Sequence, residues 1–343
     1  MAEVRDYIYW VTLIIYCVTF VVGILGNGLV IYVTGFRMKR TVNSVWFLNL
    51  ALADFLFLVF LIFTIISYTQ EHRWYFGLVM CKLNNLFSAV NMFASIFLLT
   101  AISLDRCLSI WVVVWAQNKR TVCKAQLISA VIWMTALVCS TPYATFRDLT
   151  EHNNQTYCGS SATVEQRSIT TIFRFVVGFV IPFLVIIFCY VAIGVRARRL
   201  QRNRTQKPLK IIFSIILAFF ICWLPFHVMQ FLILKAGSDE YLHKVVLLGS
   251  PLSASMAFMN SCLNPILYVF MCDEFQKKLK QSICHVLESA LAEDHLSFMS
   301  SRSLSSHLSR ISRKSESSAP LERKDTAISF TECKVGLTGR DSD

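Results

Sequence analysis

The chain has 343 residues, of which 55% are hydrophobic and only 16% are charged, with a formal net charge of +12. An ordinary soluble domain is excluded, because the apolar residues are gathered in long blocks and the mean hydropathy is +0.55. We therefore predict a membrane protein with several transmembrane segments.

Seven segments contain at most one Asp, Glu, Lys or Arg residue, and each reaches the roughly 20 residues that a helix needs to cross a bilayer. We number them spans 1 to 7: residues 10–36, 45–69, 83–104, 125–146, 168–195, 211–234 and 245–271. The predicted fold is an all-α membrane protein, a seven-transmembrane helix bundle in residues 10–271. Residues 1–9 are predicted to form a short extracellular N-terminus.

The basic residues between the spans predict the orientation of the bundle. The segments after spans 1, 3 and 5 are rich in Lys and Arg, which are retained on the cytoplasmic side of membranes. These residues are Arg37, Lys39, Arg40, Lys119, Arg120, Lys124, Arg196, Arg198, Arg199, Arg202, Arg204 and Lys207. We therefore predict a multi-pass plasma-membrane protein with an extracellular N-terminus and a cytoplasmic C-terminus. Anionic lipid on the inner leaflet accounts for the positive charge without a nucleic-acid partner.

Two of the twelve cysteines, Cys81 and Cys158, are both extracellular in this topology. Such a pair can form a disulfide in an oxidising compartment, and we favour a disulfide over two free thiols. The same loop contains Asn154-Gln155-Thr156, which makes Asn154 a predicted N-glycosylation site.

Asp54 lies nine residues inside span 2, near the bilayer midplane, where a carboxylate costs roughly 3 kcal/mol. It needs a partner or a cation, and polar side chains on other spans could complete such a site. They are Asn27 in span 1, Asn91 and Ser95 in span 3, and Asn260, Ser261 and Asn264 in span 7. An oxygen-rich set suits a sodium ion, with a protonated Asp54, trapped water or structural hydrogen bonds as alternatives. We expect no other metal and no other cofactor.

The ends of two spans carry polar groups at the cytoplasmic edge of the bundle. Span 3 ends in Asp105-Arg106-Cys107, and Arg106 could switch between the cytosol and neighbouring partners. Span 7 ends in Asn264-Pro265-Ile266-Leu267-Tyr268, where a proline and polar groups lie at membrane depth. Intramembrane polar residues are candidates for function, and we predict a hinge at Pro265. A proline kink with satisfied neighbours is the alternative.

Span 6 carries Phe219, Trp223 and His227 at positions i, i+4 and i+8, so they share one helical face beside Pro225. This pattern predicts a bulky side chain that can rotate next to a kink. For His227, a buried structural histidine is the favoured alternative. Span 5 contributes Tyr190 near its cytoplasmic end.

Arg174 lies about 9 Å inside the extracellular end of span 5, and we expect it to be the one strong cation buried in that half of the bundle. An anionic group of a ligand would neutralise it, or else a salt bridge to Glu165 or Glu240. Arg147, just beyond span 4, could add a second cation at the pocket mouth, or could pair with Asp148.

After span 7, residues 272–286 alternate apolar and basic side chains and are predicted to form an amphipathic eighth helix on the inner membrane face. Cys284 is a palmitoylation candidate or a free thiol. Residues 287–343 are predicted to be a disordered Ser-rich tail. Its candidate phosphorylation sites are Ser300, Ser301, Ser303, Ser305, Ser306, Ser309 and Ser312, unless the tail serves only for solvation.

An ordered set of short motifs runs along the chain. It consists of Gly26-Asn27, Leu50-Ala51-Leu52-Ala53-Asp54, Cys81, Asp105-Arg106-Cys107, Trp133, Cys158, Pro182, Tyr190, Cys222-Trp223-Leu224-Pro225 and Asn264-Pro265-Ile266-Leu267-Tyr268. Together these motifs resemble those of the rhodopsin-like (class A) G-protein-coupled receptors. Trp74-Tyr75-Phe76-Gly77, Val114-Trp115-Ala116-Gln117-Asn118 and Phe146-Arg147-Asp148 are similar to the chemoattractant subgroup, which contains formyl-peptide, chemerin and anaphylatoxin receptors. The chemerin receptors look most similar.

The resemblance implies a cell-surface receptor for a chemoattractant peptide or protein, with a chemerin-like ligand favoured. Its implied partners are an inhibitory heterotrimeric G protein, arrestin, receptor kinases and membrane lipid. The implied ligand-binding residues are Arg174, Arg147, Asn85, Ser88, Ala89, Trp223 and His227, with Arg174 receiving a peptide carboxylate. The implied activation switches are Asp105, Arg106, Tyr190, Phe219, Trp223, Pro225, Asn264, Pro265 and Tyr268. Ala89 replaces an acidic residue of formyl-peptide receptors, which disfavours formyl peptides.

Other ligands and other protein classes remain as alternatives. Within the subgroup these are a formyl-peptide, anaphylatoxin or lipid-mediator receptor, or a weakly signalling scavenging receptor. A retinal pump is excluded because residues 245–271 contain no lysine. A transporter should have several coupled carboxylates, whereas Asp54 is the one acid well inside the spans. We predict no enzymatic activity, because a single His227 supplies neither a catalytic dyad nor a metal site.

Overall fold

Long helices form most of the computed structural model, which describes residues 2–200, 206–237 and 239–271. The side chains of residues 2, 115, 197–200, 206–212, 215 and 267–271 are outside this description. The predicted eighth helix with Cys284, and the tail with its seven candidate phosphorylation sites from Ser300 to Ser312, also lie outside the described residues.

The described helices follow the order of the predicted spans. Span 1 is Ala2–Tyr32, followed by a π-helical turn, Val33–Arg37; span 2 is Val42–Thr69; and span 3 is Gly77–Trp111. A short helix, Val113–Asn118, precedes span 4, Val122–Thr145. Span 5 consists of Val164–Phe175, a π-helical turn Val176–Val180, and Ile181–Leu200; span 6 is Gln206–Lys235; and span 7 is Glu240–Met271. By length and composition, seven of the described helices can cross a membrane. The predicted seven-helix bundle is therefore confirmed.

Several helices extend beyond the apolar runs that predicted them. Span 1 begins at Ala2, so residues 2–9 continue the same helix. Span 5 begins at Val164 because Thr163 and Gln166 form a capping box. The Thr163 hydroxyl accepts from the Gln166 backbone N–H at 3.2 Å, and the Gln166 side chain accepts from the Thr163 backbone N–H at 3.0 Å.

Span 3 lies at the centre of the bundle, where it contacts spans 2, 4, 5 and 6. Span 5 approaches it closely at Gly178, where an added Cβ would lie 2.9 Å from the Met92 methyl carbon. The π-helical turn of span 5 surrounds this glycine and ends two residues before Pro182, which has no N–H to donate to the preceding turn. The first half of span 5 contacts span 3 through Phe173 and Phe93, span 4 through Thr170 and Tyr143, and span 6.

A β-hairpin connects spans 4 and 5. Its strands, β1 (Arg147–His152) and β2 (Gln155–Ser160), pair antiparallel and are joined by two asparagines in the left-handed region, with φ of 49° and 58°. The predicted disulfide is present between Cys81 of span 3 and Cys158 of β2. We call this the disulfide end of the bundle, and the opposite end, with Asp105-Arg106-Cys107, the Arg106 end. Sequence reasoning predicted only a loop here; Asn154 lies exposed at its turn.

Large apolar side chains cover the outward faces of the helices. In span 4, for example, Leu127, Met134 and Val138 are more than 60% exposed within the described chain. Such faces suit contact with lipid tails, because the bilayer replaces water as the surrounding medium.

Candidate ligand cavity and polar core

A cavity of about 400 Å³ lies at the disulfide end, between spans 3, 4, 5 and 6 and the hairpin. Of the predicted ligand-binding residues, Asn85, Ser88, Ala89, Arg147, Arg174 and Trp223 line it. Asn85 is fixed beside the disulfide, because its amide donates to the Cys81 carbonyl at 2.9 Å. The structure thus brings together predicted residues from spans 3, 5 and 6 and from strand β1, which are far apart in sequence.

Arg174 is held in the wall of the cavity by aromatic rings. Its guanidinium carbon lies 4.9 Å from the ring centres of both Tyr143 and Phe226. One Nη donates to the side-chain oxygen of Gln230 at 3.0 Å, while the buried Nε has no partner among the described residues. Tyr143 is itself fixed, because its hydroxyl donates to the Thr170 carbonyl at 2.7 Å. The guanidinium is oriented and keeps donor capacity for an anion.

The salt bridges considered for the two predicted cations are not formed in the described part of the chain. Glu240 pairs with Lys244 at 2.6 Å, and Glu165 is exposed without an ion pair to Arg174. Asp148 accepts from the Leu149 backbone N–H at 2.8 Å rather than from Arg147. The alternative explanations of Arg174 and Arg147 as structural ion pairs therefore receive no support.

A third arginine, Arg167 of span 5, also lines the cavity. Burial, followed by the charges of Arg174 and Arg167, lowers the pKa of Arg147, as expected for cations that crowd together. Arg167 itself is exposed, so it adds a cation at the cavity mouth and does not contradict the expectation that Arg174 is the one strong cation buried in this half of the bundle. Sequence reasoning missed Arg167 because it placed the start of span 5 at residue 168; the capping box could have revealed it.

Trp223 separates the cavity from the aromatic interior of span 6. Its ring centre lies 5.8 Å from that of the fully buried Phe219. His227 does not line the cavity but packs among the rings of Phe175, at 5.6 Å, and Phe179, at 4.9 Å. The structure thus places His227 outside the cavity lining as a buried histidine, and its Nε2 has no hydrogen-bond partner among the described residues.

Below Trp223, Asp54 is fully buried and bonded to two other spans. One carboxylate oxygen accepts from the Asn91 amide at 3.2 Å, and the other accepts from the Asn264 amide at 2.8 Å. Asn91 also donates to the Ser261 hydroxyl at 2.9 Å and accepts from Ser95 at 3.2 Å. Asn91, Ser95, Ser261 and Asn264 thus meet around Asp54 in one place, which we call the polar core, while Asn27 donates to the Ser261 backbone carbonyl at 2.8 Å.

The polar core fits a small cation. Asp54 has no cationic partner in the described part of the chain. The side-chain oxygens of Asn260 and Asn264 are buried without a hydrogen-bond partner among the described residues. A carboxylate with spare carbonyl oxygens is the donor set that hard cations prefer. Asn260 lies in the same span but forms no hydrogen bond to Asp54 in the described structure.

At the Arg106 end, Asp105 takes an unexpected partner. Both of its carboxylate oxygens accept from Arg120, at 2.8 and 2.9 Å, whereas Arg106 lies 3.8 Å away. Arg106 instead donates to Asn43 of span 2, and Arg120 donates to the same oxygen at 2.7 Å. Sequence reasoning recognised neither Asn43 nor this role of Arg120, because both lie outside the motif.

The remaining predicted switches lie along spans 5, 6 and 7. The Tyr190 hydroxyl is buried without a partner among the described residues. Pro225 and Pro265 lie inside their helices, and Pro265 packs against span 1, where an added Cβ on Gly26 would lie 2.9 Å from its Cβ. The backbone of Tyr268 belongs to span 7, but its side chain is outside the described part.

Comparison with known proteins gives a consistent result. Residues 26–268 match the sequence model of the family described as 7 transmembrane receptor (rhodopsin family). The chain is 42% identical to chemerin-like receptor 1 of Homo sapiens over 300 residues, which cover 82% of this chain and 80% of that protein. It is 42% identical to chemerin-like receptor 1 of Sus scrofa over 311 residues, covering 84% and 85%. It is 40% identical to the C3a anaphylatoxin chemotactic receptor of Danio rerio over 291 residues, covering 83% and 78%.

Proposed function

The chain belongs to the rhodopsin family of seven-transmembrane receptors, and from that premise we propose that it is a cell-surface receptor for a chemoattractant peptide or protein with a free carboxyl end. The observation that carries this proposal is Arg174, oriented by two aromatic rings and without a carboxylate partner in the described cavity. As a member of this family the chain is a receptor and not an enzyme.

The ligand that we favour is chemerin-like. The names of the human and pig relatives refer to chemerin, and both cover more than four fifths of this chain. Arg147, at the start of β1, would assist Arg174 in binding the terminal carboxylate. A complement-derived peptide is the second candidate, because the Danio rerio relative is named for the C3a anaphylatoxin. Ala89 in the cavity wall continues to disfavour formyl peptides.

We propose that the disulfide end faces the outside of the cell. The Cys81–Cys158 disulfide and the exposed Asn154 sequon suit an extracellular environment. The opposite end carries most of the basic loop residues, which favours the cytoplasm. The cavity would then open toward extracellular ligands, and the Arg106 end toward an inhibitory heterotrimeric G protein.

Signal transmission would pass along the buried side chains between the two ends. A ligand at Arg174 would press on Trp223, and span 6 would swing outward about its Pro225 kink. The polar core would rearrange at Asn264 and Pro265, and Arg106 would leave Asn43 to meet the G protein. A sodium ion bound at Asp54, Asn91, Ser95, Ser261 and Asn264, with Asn260 as a further oxygen donor, would stabilise the resting arrangement.

Regulation would act on the cytoplasmic side. We propose that receptor kinases phosphorylate the seven tail serines and that arrestin binds the product, because phosphate would convert a basic tail into an acidic one. Palmitoylation of Cys284 and the basic residues of 272–286 would attach this segment to membrane lipid.

The decisive experiment measures inhibition of cyclic-AMP formation in cells that express the chain, with and without pertussis toxin, using chemerin, anaphylatoxin and formylated peptides. We expect a pertussis-sensitive response to a chemerin-like ligand. The active peptide is then compared in its acid-ended and amidated forms on Arg174→Gln.

We expect Arg174→Gln to weaken the acid-ended peptide at least tenfold and the amidated peptide far less, because a charge-assisted pair of about 1.4 kcal/mol or more is lost. Lys235→Gln is the matched control, because Lys235 lies at the disulfide end of the bundle but outside the cavity lining. This variant should respond like the wild type. Equal losses for both peptide forms would remove the carboxylate from the recognition mechanism.

A further inference from the structure

The cavity contains more positive charge than a single carboxylate needs. Arg147, Arg167 and Arg174 all line it, and its lining includes no Asp or Glu. Among the described residues, none of the three forms an ion pair. The nearest acids in sequence, Asp148 and Glu165, are exposed.

Two of these arginines project from one face of span 5. Arg167 and Arg174 are seven residues apart within the regular helix Val164–Phe175. Seven residues advance about 10 Å and complete almost two full turns, so both side chains lie on the same face. Thr170 and Thr171 lie between them and also line the cavity, which leaves a wall of small polar side chains between the two cations.

The arginine nearest the polar core is fixed in place. Arg174 is held by Tyr143, Phe226 and Gln230, so it cannot move toward Arg167 without losing these contacts. A carboxylate bound at Arg174 would therefore leave Arg167 and Arg147 without an anion near the cavity mouth. Arg167 is exposed and Arg147 is half-buried. Unpaired like charges that share one cavity repel each other, and a second anionic group would relieve that repulsion.

We infer that the cavity binds a ligand end with two anionic groups: a terminal carboxylate at Arg174 and an acidic side chain, about three residues upstream, at Arg167 and Arg147. The spacing follows from the separation of about 10 Å along span 5 and a rise of about 3.3 Å per residue in an extended peptide. The inference rests on the proposed function, since it assumes that the ligand is a peptide with a free carboxyl end.

The test uses purified full-length receptor and affinity selection from synthetic hexapeptide pools. Each pool carries Glu or Gln at one of the last five positions, neutral residues elsewhere, and either a free carboxylate or an amide at its end. Retained peptides are quantified by mass spectrometry, so the readout does not depend on G-protein coupling. The receptors compared are the wild type, Arg167→Gln, Arg167→Lys, Arg174→Gln and, as the matched control, Lys235→Gln.

We expect the wild type to retain acid-ended Glu peptides roughly tenfold over their Gln counterparts, which corresponds to one charge-assisted pair of about 1.4 kcal/mol. Arg167→Gln should lose the preference for Glu but keep the preference for acid over amide, and Arg174→Gln should do the opposite. Arg167→Lys, which retains the charge, should keep the Glu preference, and Lys235→Gln should keep both.

Equal retention of Glu and Gln peptides by the wild type would overturn the second anionic group while leaving terminal carboxylate capture intact. A Glu preference that survives in Arg167→Gln would also overturn it. If the wild type retains acid-ended and amidated peptides equally, or retains no pool at all, the proposed function is contradicted, and the inference that rests on it is contradicted as well.

Discussion

Arg120 and Arg106 compete for the same buried carboxylate. Asp105 is only 9% exposed, and both of its oxygens are occupied by Arg120, which leaves Arg106 at 3.8 Å. A nearly buried carboxylate must find another cation when its partner is removed, and Arg106 is the nearest one. Arg120 therefore keeps Arg106 available by occupying Asp105.

We expect Arg120→Ala to lower both basal signalling and agonist potency, because Asp105 would then pair tightly with Arg106. The loss should be about 1 kcal/mol, or roughly fivefold in potency. Inhibition of cyclic-AMP formation measures both quantities. Lys119→Ala removes an exposed neighbouring cation and serves as the control. A rise in basal signalling would mean that Arg120 restrains Arg106 instead.

The polar core leads to a prediction about ions. If sodium binds at Asp54 in the resting arrangement, then by reciprocity it must oppose a ligand that favours another arrangement. We expect sodium chloride to weaken agonist affinity severalfold relative to potassium chloride at equal ionic strength, and Asp54→Asn to abolish the difference. Agonist binding in membranes tests this. An unchanged sodium effect in Asp54→Asn would place the ion elsewhere.

At the scale of elements, close helix packing depends on small residues at particular positions. Gly26 of span 1 faces the rigid ring of Pro265, and an added Cβ would lie 2.9 Å from the Pro265 Cβ. Two residues further along span 1, an added Cβ on Gly28 would meet only Phe55 at an ordinary 3.6 Å. The first glycine is thus needed for contact between spans 1 and 7, and the second is not.

We expect Gly26→Ala to lower the melting temperature of the purified receptor and Gly28→Ala to leave it unchanged or raise it. Overpacking against a rigid ring costs about 1–3 kcal/mol, which exceeds the gain in helix propensity of up to about 1 kcal/mol that both substitutions share. Thermal unfolding of the two variants in one detergent decides the point. Equal shifts would mean that the interface between spans 1 and 7 has room to adjust.

At the scale of the whole molecule, the proposed orientation can be tested by glycosylation. The chain contains two Asn-X-Thr patterns, at Asn154 and Asn203, which the topology places on opposite sides of the membrane. We expect glycosidase treatment to reduce the apparent mass of the wild type and of Asn203→Gln, but not of Asn154→Gln. Glycosylation at Asn203 instead of Asn154 would show that the proposed orientation is inverted.

Much of the molecule could be predicted from sequence. The seven helices, the Cys81–Cys158 bridge and the contact of Asp54 with spans 3 and 7 follow from residue types at particular depths. Two features that depend on short polar motifs were not predicted, however. The hairpin at Asn153 and Asn154, and the early start of span 5 at Thr163, depend on local hydrogen bonds that a hydropathy pattern does not detect.

The number of spans and the polar residues within them follow from composition alone, because a membrane helix satisfies its own backbone hydrogen bonds and its apolar length is visible in the sequence. Which side chains become partners depends on how the helices pack. Helix packing places Arg167 in the cavity wall with Arg174, and neither has a carboxylate partner among the described residues. At the other end of the bundle, Asp105 forms its salt bridge with Arg120. The pairing of side chains depends on distances between spans, and these distances cannot be read from the spacing of residues within one span.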